Sequence, residues 1–200
     1  MYVIGNTQIN SKNSERKDIM EYFDVLNEWG EFTGRIETRE NCHKQGLWHR
    51  ANYGFIFNKN GDVLLQKRSK QKKLWPNLWD VTAGGHVLSG EFGYEALIRE
   101  VKEELGIDIT EENLTYLVSS TSINTKGDIV NKHFNECFII HKDVDISDLK
   151  LQEEEVSEVR WFSKDEILKR IDNNFDGITD KSGPWNFLKK YYGKISLTVW

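Results

Sequence analysis

Cysteine is scarce in this 200-residue chain. Cys42 and Cys137 are the only two, far apart and in no CxxC pattern, so neither a disulfide framework nor a zinc site is indicated. A reduced, cytoplasmic setting is the expectation. Long apolar runs are also missing: none approaches the roughly 18–20 residues of a membrane span, and the N-terminus lacks the basic-then-apolar pattern of a secretion signal. Positive charge is in deficit, with 27 Lys and Arg against 32 Asp and Glu. The resulting net charge of -5 argues against a partner that is a nucleic-acid polymer, but leaves room for a small anionic substrate if metal ions or a local basic cluster offset it. Internal repeats and low-complexity tracts are absent too.

What is present is globular. Apolar residues make up 38% and aromatic residues 12% of the chain, enough to build a core at this length without staples. The expected organisation is a polar tail over 1–19 and one domain over 20–200, with an N-terminal hairpin and a C-terminal helix. From Met20 the segment MEYFDVLN alternates, Glu28 to Glu31 reads as a turn and FTGRIE resumes, which predicts a β-hairpin. ANYGFIF, the turn Asn58-Lys59-Asn60-Gly61 and DVLLQKR predict a second hairpin. Leu114 to Ser120 and His133 to His141 read as strands around a polar loop, and VSEVRWF as another strand. A helix follows it, opened by Ser163 with Glu166 three residues on, and a last helix starts near Pro184.

Between Thr38 and Arg50, His43 and His49 lie six residues apart with no carboxylate or cysteine at ligand spacing, so loop or substrate-pocket roles are expected of them in preference to zinc. Lys67, Arg68, Lys70, Lys72 and Lys73 form the densest basic cluster, open to two readings, a solvated loop or a phosphate-binding wall. Trp75, Pro76 and Trp79 beside them read as packing residues.

The most informative stretch is GGHVLSGEFGYEALIREVKEELGI, Gly84 to Ile107. Tyr94, Leu97, Ile98, Val101 and Leu105 predict an apolar helix stripe over Phe92 to Leu105, closed by Gly106. Glu100, Glu103 and Glu104 fall at i, i+3 and i+4, three carboxylates on one face that repel by roughly 0.2–0.5 kcal/mol per pair. A cation is the natural remedy. By spacing, Gly85 is followed after five residues by Glu91 and after seven more by Arg99 and Glu100. A surface helix with a solvated acidic face accounts for the carboxylates but not for the glycine entry, Glu91 or Arg99.

This pattern resembles the Nudix box, and the chain is similar to Nudix hydrolases from about Trp48 to Ile171. The resemblance implies an α/β fold, an α/β/α sandwich with a mixed central sheet, here extended by the N-terminal β-hairpin. It implies Mg²⁺ (or Mn²⁺) as cofactor, held by Glu100, Glu103, Glu104 and the carbonyl of Gly84, with Glu91 and Arg99 shaping loop and helix. The implied reaction is hydrolysis of a diphosphate linkage in a nucleoside diphosphate derivative or other organic diphosphate. The general base is left open among Glu103, Glu104 and the loop acids Glu153, Glu154 and Glu155.

A narrower likeness, carried by HRANYGFIFNKNGDVLLQKRSKQKKLWPNLWD, is to isopentenyl-diphosphate isomerases. It implies diphosphate contacts from Arg68 and Lys72 and a metal-binding role for His86. The isomerase cysteine falls at Gly84, and its later glutamates fall near His133 and Asn135, so a hydrolase of the isomerase-like subgroup is expected. The alternatives are the isomerase itself and a non-catalytic diphosphate-binding module. Substrate choice is expected to lie in the loops Thr38 to His49 and Asn124 to Lys132 and in the C-terminal helix, with Trp48, Trp161 or Trp185 as possible base-stacking rings. A homodimer through the N-terminal hairpin is a further expectation.

Overall fold

Phe55 and Ile56 are neighbours on one strand yet belong to two different cores, because successive strand residues face opposite sides of a sheet. The molecule is layered on that alternation. The computed structural model describes residues 20–179 and 182–195. The polar tail expected over 1–19 lies outside the described residues.

Among the described residues eight strands make one mixed sheet: β1 Tyr22–Leu26, β2 Phe32–Thr38, β3 Trp48–Phe57, β4 Val63–Arg68, β5 Trp79–Asp80, β6 Leu114–Lys126, β7 Ile129–Ile140 and β8 Val156–Phe162. The spine runs β2-β1-β3-β4-β5, with β7 and β6 added beside β3, and β8 beside β4. Adjacent strands pair antiparallel except β3 with β7, which run parallel from Trp48↔Lys132 to Ile56↔Ile140. Among the described residues four α-helices cover the sheet: α1 Arg39–Gln45, α2 Gly93–Leu105, α3 Lys164–Asp172 and α4 Ser182–Ile195.

On one face Leu97, Val101 and Leu105 of α2 pack on Ile56, Leu64 and Phe138. On the other, Ile167 of α3 and Trp185, Leu188 and Tyr192 of α4 pack on Phe55, Val63 and Leu65. Burial of each such side chain contributes about 1.5–3 kcal/mol. The sandwich with a mixed sheet and a leading hairpin is therefore present as expected. A third small core of Phe23, Val25 and Cys42 seats α1 under the hairpin.

The central helix starts as expected near Phe92, the extended residue before α2, whose N–H Glu95 reaches back to accept at 2.8 Å. Two local expectations are corrected. The stretch Thr38 to His49 is not a loop: Thr38 caps α1 by accepting from the N–H of Asn41, and Gly46 ends it in the left-handed region at φ 61. Nor is Asn124 to Lys132 a loop, since β6 and β7 continue to Lys126 and Ile129. Polar Ser, Thr and Asn can extend a ladder whose outer face is solvated, which hides it from a hydrophobic pattern.

Candidate active site

Glu104 lies on the sheet-facing side of α2 and is almost fully buried, unlike a solvated acid. Its Oε2 accepts from Nε2 of Gln66 on β4 at 3.0 Å and from the N–H of Gly84 at 3.3 Å. One turn back, Glu100 is half-buried and Glu103 has 53% of its side chain exposed. A Cβ at Gly85 would fall on the Glu100 carboxylate, so a side chain there would displace that acid.

Arg99 organises the approach to these acids. Its Nε and Nη2 donate to the two Glu91 oxygens at 2.9 and 3.1 Å, and Nη1 donates to Glu100 Oε1 at 2.8 Å. Glu91 in turn accepts from the N–H of Leu88 at 3.0 Å, which fixes the loop between Gly85 and α2. Glu91 is part-buried, which works to raise its carboxyl, but the Arg99 hydrogen bond, the Leu88 N–H and nearby guanidinium charge outweigh that and hold it below its usual range.

Burial, with Glu103 and Glu21 nearby, pushes the Glu100 carboxyl up to about 6 against the pull of Arg99. Burial, then the charge of Glu100, pushes Glu104 well above the usual carboxylate range. Oxygen donors gathered on one helix face suit a hard cation such as Mg²⁺, whose charge would favour the ionised carboxylates. Glu100, Glu103, Glu104 and the Gly84 carbonyl could hold one.

Gly84, Gly85, His86, Arg68, Lys72, Arg99 and the three helix acids all line one cavity of about 240 Å³. Glu91 and Gly106 stand behind it, Glu91 on Arg99 and Gly106 at the αL end of α2, where φ is 73. Arg68 and Lys72 line the same cavity, but each already has an acid: Arg68 Nη1 is 3.1 Å from Asp80 Oδ2, and Lys72 is ion-paired with Glu155. Glu155 lines this cavity; Glu153 lines a separate hollow.

Trp75 is not simply a packing residue. It sits at φ 48 and lines both the main cavity and an adjoining hollow of about 230 Å³ that also touches Asn124 and Asn131. Left-handed backbone at a bulky residue costs on the order of 1–3 kcal/mol and concentrates at functional sites. Of the tryptophans expected to stack on a base, Trp185 is wholly buried under Phe55 and unavailable.

The histidines depart furthest from expectation. His43, His49, His86 and His133 each bring one ring nitrogen to within 4.8 Å of the others. The parallel register sets His49 beside His133 on the neighbouring strand, and Ala51, two residues on, bridges to His86. Burial, then the neighbouring His49, lowers His43 to about 4; burial lowers His49 to about 4 despite its Leu47 hydrogen bond, and His86 lies well below the usual range through burial and then His133. Burial thus favours the neutral form of His43, His49 and His86. His43 and His49 carried no local signal, His86 was expected at a metal only through the isomerase likeness, and strand pairing sets His133 beside His49.

Against known proteins, the NUDIX domain family matches residues 47–181. An uncharacterised Nudix hydrolase of Listeria monocytogenes is 40% identical over 152 residues, covering 74% of this chain and 83% of the relative. An isopentenyl-diphosphate Δ-isomerase of Escherichia coli is 29% identical over 167 residues, covering 84% of this chain and 85% of that one. Among solved structures, a Deinococcus radiodurans protein superposes with a TM-score of 0.65 at 22% identity, over 86% of this chain and 99% of its own, a likeness of fold.

Proposed function

The chain belongs to the Nudix hydrolase family, enzymes that cleave pyrophosphate linkages, and from that premise we propose that it hydrolyses a diphosphate in a nucleoside diphosphate derivative or another organic diphosphate, with Mg²⁺ or Mn²⁺. The observation that carries this reading is the cavity itself, lined by the acids Glu100, Glu103 and Glu104 together with the cations Arg68 and Lys72. A hard divalent ion bound by the helix acids and the Gly84 carbonyl supplies Lewis acidity and lowers the pKa of a bound water. Arg68, kept in place by Asp80, offers its guanidinium to one phosphate. Lys72 exchanges Glu155 for another. That exchange frees the Glu155 carboxylate inside the cavity, where it joins Glu103 as an acid placed to take a proton from water, while Glu104 is engaged by Gln66 and Gly84. Trp75 offers a flat face to the organic moiety.

Incubation with nucleoside diphosphates, nucleotide sugars and isoprenyl diphosphates, with Mg²⁺ or Mn²⁺, is expected to release phosphate or a monophosphate, identified by product analysis. Release unchanged in Glu103→Gln would sink the assignment of the helix. The isomerase alternative is favoured by the 29% identity but lacks a thiol: Gly84 occupies that position, and Cys42 and Cys137 are both buried away from the cavity. Conversion of isopentenyl diphosphate to its dimethylallyl isomer would overturn this. A binding module without turnover would show ligand-dependent stabilisation and no product.

Two buried free cysteines fit a reducing, cytoplasmic setting. Phe32 and Ile36 stand exposed on the edge strand β2, with Trp29 at the turn, an apolar edge suited to a second copy and checked by sedimentation.

A further inference from the structure

The NUDIX match begins at residue 47, so the hairpin of β1 and β2 precedes the matched domain. Even so, β1 is bonded directly to the loop that leads from Gly85 into α2. Asp24 of β1, with 16% of its side chain exposed, stands against the turn at Ser89 and Gly90. Its Oδ1 accepts from the Ser89 hydroxyl at 2.7 Å and its Oδ2 from the Gly90 N–H at 3.1 Å. The Ser89 N–H donates to the Tyr22 carbonyl at 2.8 Å, and Leu88 packs on the small core of Phe23, Val25 and Cys42. Asp24 Oδ2 also lies 3.6 Å from Nη2 of Arg50, which donates to the Glu91 carbonyl at 2.7 Å. Leu88, Ser89, Gly90 and Glu91 are thus all held either by β1 or by an arginine paired with it. Covering a sheet edge calls only for backbone ladder bonds; it does not account for a part-buried carboxylate that fixes a turn on another element.

We propose that Asp24 is a positioning residue for the carboxylate metal site, and that through it the N-terminal hairpin sets the geometry of the catalytic loop; this rests on the hydrolase reading. The path is short. Asp24 fixes Ser89 and Gly90, the next residue is Glu91, the Glu91 carboxylate holds Arg99, and Arg99 donates to Glu100. An ionised carboxylate is suited to the turn because it only accepts, and it meets two donors there at once with charge-assisted bonds. Asparagine keeps one acceptor and turns an NH₂ towards the other donor.

The test measures Mn²⁺ binding to the full chain without substrate, counting by electron paramagnetic resonance the ion that excess Mg²⁺ displaces. Circular dichroism fixes a temperature at which every variant is folded. Asp24→Ala is expected to weaken this binding by about tenfold, the low end of the roughly 10–100-fold that losing an outer-shell partner costs. Ser89→Ala should weaken it in the same direction, and adding it to Asp24→Ala should cost nothing further, since Ser89 acts through Asp24. Asp24→Asn should fall between wild type and Asp24→Ala. Amide hydrogen exchange over residues 84–91 of the metal-free protein should quicken in Asp24→Ala. Arg35→Ala removes the exposed Arg35–Glu37 pair from the same hairpin without touching the loop, and should leave Mn²⁺ affinity at the wild-type value. Affinity within twofold of wild type in Asp24→Ala overturns the proposal, as does an equal loss in Arg35→Ala. Failure of the wild type to bind Mn²⁺ that Mg²⁺ displaces would instead overturn the metal reading of the helix acids, and the proposal with it.

Discussion

Nη2 of Arg99 donates to the carbonyl oxygen of His86 across 3.1 Å, so the guanidinium that clamps Glu91 and Glu100 also holds the backbone of the histidine cluster. One side chain ties α2, the glycine loop and the histidine cluster together. Arg99→Lys keeps the charge but loses the planar fork, and is not conservative at such a site. Its expected effect is a loss of about 1–3 kcal/mol in urea unfolding together with a fall in kcat. Unfolding unchanged from wild type would mean that the clamp is dispensable.

Glu104→Gln and Glu103→Gln are expected to part company on stability while agreeing on activity. Glutamine at 104 mimics the protonated acid that burial already favours, and its carbonyl can still accept from Gln66 and Gly84. The metal-free variant is therefore expected to melt at or above wild type. Glu103, more than half exposed, is expected to change stability by no more than about 0.5 kcal/mol. Turnover falls on the order of 10²-fold or more in each, measured by phosphate release.

Stability and metal response are expected to move in opposite directions with pH. Glu100 has a folded value raised to about 6 from 4.5, so its contribution is fully present below 4.5 and is lost as pH rises through about 6. Glu104 acts in the same sense. The metal-free protein should lose Tm over this interval, while the stabilisation given by Mg²⁺ should grow, since the ion needs the ionised carboxylates. Thermal melts from pH 4.5 to 7.5, with and without Mg²⁺, check both slopes.

Trp75→Ala is expected to raise KM for substrates with a large aromatic moiety by about tenfold, in line with roughly 1–3 kcal/mol for stacking on an aromatic side chain, with kcat little changed. Trp75→Gly should additionally relieve the positive φ of 48. Equal KM values for aromatic and aliphatic diphosphates in wild type and Trp75→Ala would remove Trp75 from substrate selection.

Much of the fold was legible locally. VSEVRWF is β8 without an end misplaced, the Asn58 to Gly61 turn joins β3 to β4, and Ser163 caps α3 by accepting from the N–H of Glu166. These depend on alternation, turn chemistry and capping, all short-range. The misses were α1, too short to show a period, and the polar ends of β6 and β7, where the ladder is held by backbone bonds that side-chain hydropathy does not report.

By itself the sequence determined the helix with its three acids, the Gly85, Glu91 and Arg99 spacing and the family, because these sit within one contiguous stretch and helical geometry converts spacing into a face. The tertiary structure alone decided which acid is buried, that Lys72 is matched by Glu155, that Trp75 faces the cavity, and that His43, His49, His86 and His133 meet. Those pairs are separated by up to 90 positions and are joined by a parallel strand register and a sheet bridge, which no local pattern encodes.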